Sequence, residues 1–181
     1  MQRLYVALTT VDGHHCVDTR DYDWESWDPA GLSYVADNED IEMRIQQGED
    51  VTTEFKVALT EYRDEFLESV CAFSNSLGGL IVIGVDRNGH VKGIPDDRIE
   101  PSKETVDNVV RQWIEPIPAY KTDARLLGEK HVLVVSIARG DRPPYVFRDH
   151  GCFIRAGASD RIASRDELDM FYRNQTPQTP R

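Results

Sequence analysis

Gly48-Glu49-Asp50-Val51-Thr52-Thr53-Glu54-Phe55-Lys56, then Ala72-Phe73-Ser74-Asn75-Ser76-Leu77-Gly78-Gly79 and Gly84-Val85-Asp86, are the segments whose reading decides the fold. Gly48 suits the left-handed position that closes a short helix over Glu39 to Gln47. Thr52 to Ala58 reads as a strand. Tyr62, Phe66, Val70, Phe73 and Leu77 recur at spacings of four, four, three and four, which predicts one apolar helical face. Gly78-Gly79 stops that helix, since glycine can turn where a side chain would clash. Leu80-Ile81-Val82-Ile83 is a continuous apolar run suited to a central strand. The order strand, helix, diglycine, strand gathers acids, a lysine and a tight turn around one sheet.

Working outward, Leu4 to Leu8 reads as a strand and Asp12-Gly13 as a turn. From Asp18 to Asp28, acids alternate with Tyr22, Trp24 and Trp27 without a clear period, as in a covering arm or a partner-binding tail. Asn88-Gly89 signals a hairpin returning through Val91 to Ile94. Pro101-Ser102 opens a helix with Val106, Val109, Val110, Trp113 and Ile114 on one face, and Pro116 and Pro118 prevent its continuation. Ala119 to Leu127 and His131 to Ala138 predict a hairpin around Gly128. Tyr145 to Phe147 and Cys152 to Ala156 predict a third, turning at His150-Gly151. Ser164-Arg165-Asp166-Glu167 is a capping box for a last helix expected to bury Leu168, Phe171 and Tyr172. The expected class is α+β: a mixed, largely hairpin-connected sheet packed with three main helices in a single domain. The expected organisation is an acidic arm over residues 1–36, a domain over 37–175 and a frayed tail over 176–181.

A net charge of -11 argues at first against a nucleic-acid partner. Its distribution weakens that objection. Residues 1–50 hold 12 acids and 3 bases, whereas residues 51–181 hold 20 acids and 18 bases. Between Arg139 and Arg165, six arginines face Asp141, Asp149 and Asp160. Phosphate binding needs local potential, not global charge. Cys16, Cys71 and Cys152 are too sparse for a disulfide framework and suggest reduced thiols in a cytoplasmic protein. No apolar run is long enough to span a bilayer, so no membrane partner is expected.

Together with Pro143-Pro144-Tyr145 and Phe153-Ile154-Arg155-Ala156-Gly157-Ala158-Ser159, the opening segments resemble the Schlafen-type AlbA-like domain over roughly residues 48–172. The resemblance implies nucleic-acid binding, DNA or RNA, in a family some of whose members cut RNA. In those members an acid five residues before the Glu of Glu-Phe-Lys joins that Glu and an acid after a Gly-Val step. Glu49 and Glu54 match this spacing, and Asp86 stands at the third position, followed by Arg87 where the nucleases tend to carry a second acid. Clustered carboxylates hold Mg²⁺ or Mn²⁺, which activate water for phosphoryl transfer. Glu49, Glu54 and Asp86 are thus the candidate catalytic and metal residues. The ordinary alternative is that the glutamates are solvated or paired with Lys56 and an arginine.

Lys56, Arg87, Arg142, Arg148, Arg155 and Arg161 are the candidate phosphate contacts, against the alternative of a solvated face paired with neighbouring aspartates. His14-His15-Cys16 is a weak metal motif, because adjacent residues rarely ligate one ion. ATP is not expected, since no G-x-x-x-x-G-K-[ST] loop is present. Binding through backbone phosphates is the first expectation. A divalent-metal-dependent endoribonuclease is the second. An inert domain whose acidic arm takes a protein partner is the third, and the resemblance also allows a homodimer.

Overall fold

The computed structural model describes residues 4–9, 16–22, 38–59 and 62–175. The chain divides into two compact units, Met1–Tyr34 and Val35–Arg181. In the first, β1 (Leu4–Thr9) pairs antiparallel with β2 (Cys16–Tyr22), running from Leu4 opposite Tyr22 to Thr9 opposite Cys16. The strand expected at Leu4 is present, and its partner lies in a stretch that showed no period. Asp12-Gly13, His14-His15, Trp24, Trp27 and the tail over 176–181 lie outside the described residues.

The second unit opens with α1 (Asn38–Gln47), closed by Gly48 at φ +87°, whose N–H donates to the Arg44 carbonyl at 3.0 Å. β3 (Thr53–Lys56) and β4 (Gly79–Ile83) are parallel, with Glu54 beside Ile81 and Lys56 beside Ile83. Parallel neighbours need a crossover, and α2 (Arg63–Asn75) supplies it. β6 (Tyr120–Leu127) and β7 (Lys130–Ile137) form the expected hairpin, giving a mixed sheet in the order β3-β4-β7-β6. Ile81, Ile83, Leu133, Val135 and Ile137 enter a core with Phe66, Val70 and Phe73 of α2, and with Val106 and Val110 of α3 (Ile99–Trp113). The intervening Leu80, Val82, Val132 and Val134 are buried as well, so both faces of the sheet are covered, as its uninterrupted apolar runs demand.

The diglycine turn is sterically enforced. A Cβ on Gly78 would lie 2.7 Å from the Ile137 carbonyl oxygen, and one on Gly79 would lie 2.7 Å from that of Thr52. Because α2 ends at Asn75, Leu77 leaves the expected helical face and is exposed.

Three local expectations are corrected. At Asn88-Gly89 the chain turns, but Val91 makes only an isolated bridge to Val85 and no second strand follows. The third hairpin is paired differently. β8 (Val146–Phe147) joins β5 (Ile114–Glu115), and β9 (Phe153–Ala156) pairs with β10 (Ser159–Ile162) around Gly157, whose φ of +66° allows a tight turn. The last helix, α4 (Arg165–Gln175), starts at its capping box, with the Ser164 N–H donating to Glu167 Oε2 at 2.8 Å. Leu168 and Phe171 pack on Cys152, Ile154 and Ala163, but Tyr172, one step further round the helix, is exposed. The whole is an α+β fold with a mixed, hairpin-connected sheet.

Candidate functional site

β3 lies at the edge of the sheet and turns Glu54 and Lys56 towards the α2 side, since alternate residues share a face. Both side chains are almost wholly buried. Glu54 Oε1 accepts from Lys56 Nζ at 2.7 Å, and Glu54 Oε2 lies 2.8 Å from Arg155 Nη2. The Arg155 side chain is only 2% exposed. Its guanidinium also donates to Asp160 Oδ1 at 2.9 Å and to the carbonyls of Asp50 and Thr53 at 2.8 and 3.1 Å. It lies over the Phe73 ring at 4.9 Å from the centroid, and Ser69 Oγ donates to the other oxygen of Asp160 at 2.7 Å. No buried side-chain nitrogen or oxygen of this hub lacks a hydrogen-bond partner, which is what makes a buried charge tolerable.

The Ser-Asn-Ser segment at the end of α2 holds the strand that carries Arg155. Asn75 Nδ2 donates to the carbonyls of Tyr145 and Phe153 at 2.8 and 2.9 Å, and its Oδ1 accepts from the Tyr145 N–H at 2.7 Å. Ser76 Oγ accepts from the Arg155 N–H at 3.0 Å. These residues clamp β9 to the helix rather than capping the nearby turn.

Beside the hub is an open cleft of about 470 Å³ that Glu49, Glu54, Glu65, Glu68, Arg87 and Asp160 help to line. Glu49 Oε1 accepts from the Phe55 N–H at 3.0 Å. Burial, with a contribution from the Glu54 carboxylate, raises the Glu49 pKa above the usual carboxylate value. Glu68 is raised likewise, by burial and then by the Asp160 and Glu65 carboxylates. Arg87 is exposed, and its Nη2 stands 3.6 Å from Glu65.

Glu49 and Glu54 therefore share a cleft, but Asp86 does not join them. Its carboxylate closes its own turn, accepting from the backbone N–H of His90 and Asn88 and facing Lys92 Nζ at 3.1 Å. The His90 N–H bond, with these others, lowers the Asp86 pKa to about 2. Among the described residues, no three His, Cys, Asp or Glu side chains are placed to hold a metal ion. Glu54 has both oxygens committed to cations, and Glu49 Oε1 is committed to the Phe55 N–H. The donor set does not fit Mg²⁺ or Mn²⁺, and no catalytic step is derived through either ion.

Apart from Arg87 in the cleft, the expected phosphate contacts fall into three places. Arg155 and Lys56 are the buried cations of the hub, because Glu54 and Asp160 draw them inward. Arg161 makes a fork to Glu167 at 2.7 and 2.8 Å. Arg142 and Arg148 line a second groove of about 520 Å³, together with Glu115, Pro144, Val146 and Tyr172. Their acidic partners are weakly placed: Asp141 lies 3.8 Å from Arg142 Nε, and Glu115 lies 3.2 Å from Arg148 Nη2, all four side chains being exposed. Sequence reading missed Glu65, Glu68 and Asp160 in the cleft and Tyr172 at the groove. The i, i+3 spacing of Glu65 and Glu68 on one helix face was the available signal.

The Schlafen, AlbA_2 family pattern matches residues 49–164, most of the chain. No curated protein matches. A crystal structure of the DIP2311 protein from Corynebacterium diphtheriae superposes with a TM-score of 0.54 at 20% identity, covering 70% of this chain and 24% of that one. The chain thus spans about a quarter of that neighbour's length. The solution structure of the N-terminal domain of a RecG-related protein from Nitrosomonas europaea also gives 0.54, at 22% identity, covering 72% of this chain and 91% of that domain. At such identities the likeness concerns the fold, while the residues matched by the family pattern include the hub, the Asn75 clamp and the diglycine turn. This chain belongs to the Schlafen AlbA_2 family.

Proposed function

We propose that this protein binds nucleic acid by its backbone phosphates, with Arg142 and Arg148 as the principal contacts. Family membership supports a nucleic-acid-related role, and a protein named for its relation to the DNA helicase RecG shares the fold. The observation that carries the reading is the pair of exposed, loosely held guanidiniums on one groove. Exposed ion pairs of this kind contribute about 0–1 kcal/mol, so a phosphate displaces the carboxylate at little cost. The fork of each guanidinium matches two phosphate oxygens. Arg87 is a weaker contact, because it shares its cleft with carboxylates that repel phosphate. Arg155 and Lys56 act through the fold and not through the ligand.

No helix among the described residues is long and apolar enough to cross a membrane. Cys71 and Cys152 are buried free thiols, pushed by burial to about 12 and about 11, so neither is a reactive thiolate at neutral pH.

The test is an anisotropy titration at low salt with labelled DNA and RNA of several sequences. Arg142→Ala with Arg148→Ala should weaken binding roughly tenfold or more, about 1.4 kcal/mol, and equally across sequences. Failure of the wild type to bind any of them would overturn the reading. In the same tubes, Mn²⁺ should produce no cleavage that Glu49→Gln abolishes.

A further inference from the structure

Two guanidiniums account for phosphate binding in the arginine groove, but not for the carboxylate set beside them. Glu115 lines the same groove as Arg142 and Arg148. Its place is fixed by the ladder of β5 with β8, in which Glu115 stands opposite Val146 and the Arg148 N–H donates to the Trp113 carbonyl at 2.9 Å. Cross-strand partners and alternate residues share a face, so Glu115 and Arg148 stand on one side of this ladder. There Glu115 Oε2 lies 3.2 Å from Arg148 Nη2, the two side chains being 68% and 52% exposed. A phosphate held by Arg148 therefore arrives next to a carboxylate. The space of about 520 Å³ is that of a small-molecule pocket, enough for a nucleotide.

Against a DNA backbone that carboxylate is only a cost. An ionised carboxylate accepts and never donates, and the phosphate, ester and deoxyribose oxygens are acceptors too. A ribose adds one donor per nucleotide, the 2′-hydroxyl. Resting on the phosphate-binding reading above, we infer that the groove selects RNA strands over DNA strands, with Glu115 accepting a hydrogen bond from a ribose 2′-hydroxyl while Arg142 and Arg148 hold the neighbouring phosphates. That bond has an ionised acceptor and belongs to the stronger class. Glu115 thus has opposite effects on the two polymers: it repels the phosphates of both, and only RNA supplies a group that offsets the repulsion.

The test measures binding of the full chain, at low salt, to labelled single strands of oligouridylate, oligodeoxyuridylate and 2′-fluoro-oligouridylate. The base is common to all three, and the fluoro sugar keeps the ribose pucker but has no donor. Wild type should hold oligouridylate roughly tenfold more tightly than either of the others. Glu115→Ala should erase that preference, losing affinity for oligouridylate and gaining it for oligodeoxyuridylate. Glu115→Gln, which keeps an acceptor without the charge, should retain part of the preference. Thermal melts should show both variants folded, since the side chain is exposed. If Glu115→Ala tightens all three strands equally, the carboxylate only repels phosphate, which overturns the inference and leaves phosphate binding standing. A preference for oligouridylate that survives in Glu115→Ala, or that the fluoro strand shares, also overturns it, because the sugar is then read elsewhere or by its shape. If no strand binds at low salt, both readings fall together.

Discussion

With its guanidinium between Glu54 and Asp160, Arg155 neutralises two carboxylates that would otherwise face a poorly solvated interior. Lys56 remains beside Glu54, but nothing replaces the cation beside Asp160. Removing one partner of a buried, hydrogen-bonded charge network costs about 3–5 kcal/mol. Arg155→Met should therefore lower the urea midpoint by that equivalent, with the slope unchanged. Arg155→Lys should recover only part of it, because a single ammonium cannot reach two carboxylates and two carbonyls in one plane. A loss below about 1 kcal/mol for Arg155→Met, the size of a surface pair, would show that the hub is not structural. The Glu49/Glu54 spacing was legible in the sequence because it is local. Pairing of Glu54 with Lys56 and an arginine was legible too, but which arginine was not, since Arg155, with Asp160 beside it, arrives from about a hundred residues away through the Asn75 clamp.

Among the elements, α4 shows how a short-range signal survives into the structure. Glu167 accepts from the Ser164 N–H at 2.8 Å and from both Nη atoms of Arg161 at 2.7 and 2.8 Å. The Arg161 guanidinium first, and the Ser164 N–H next, lower its pKa from 4.5 to about 2. A carboxylate with a depressed folded pKa contributes stability above its unfolded pKa, and loses it as pH falls through the folded one. Glu167→Gln should thus melt earlier than wild type at neutral pH, and the gap should close between about pH 4.5 and pH 2. A gap constant over that range would mean that the cap works without its charge. Capping box and diglycine turn could be read because each is a few residues long and has one physical solution. β10 could not, since Ser159–Ile162 is largely exposed and carries no apolar alternation. That left the third hairpin to be assigned to a turn at His150-Gly151, where the chain makes only the isolated Phe147–Gly151 bridge.

At the scale of the whole molecule, an acidic chain presents two unlike surfaces on one domain. The cleft beside the hub is rich in carboxylates, and the groove beside α4 carries two arginines and an exposed tyrosine. Phosphates are drawn to the second and repelled from the first, so net charge is a poor guide to the partner. The central claim is that Arg142 and Arg148 hold backbone phosphates. It is tested most directly by the salt dependence of nucleic-acid affinity. The logarithm of the binding constant should fall linearly with the logarithm of salt concentration. Replacing both arginines with alanine should reduce the slope by roughly 1.4 on single strands or roughly 1.8 on duplex. An unchanged slope in that double variant, with the wild type still binding, would contradict the account and move the interface elsewhere on the domain.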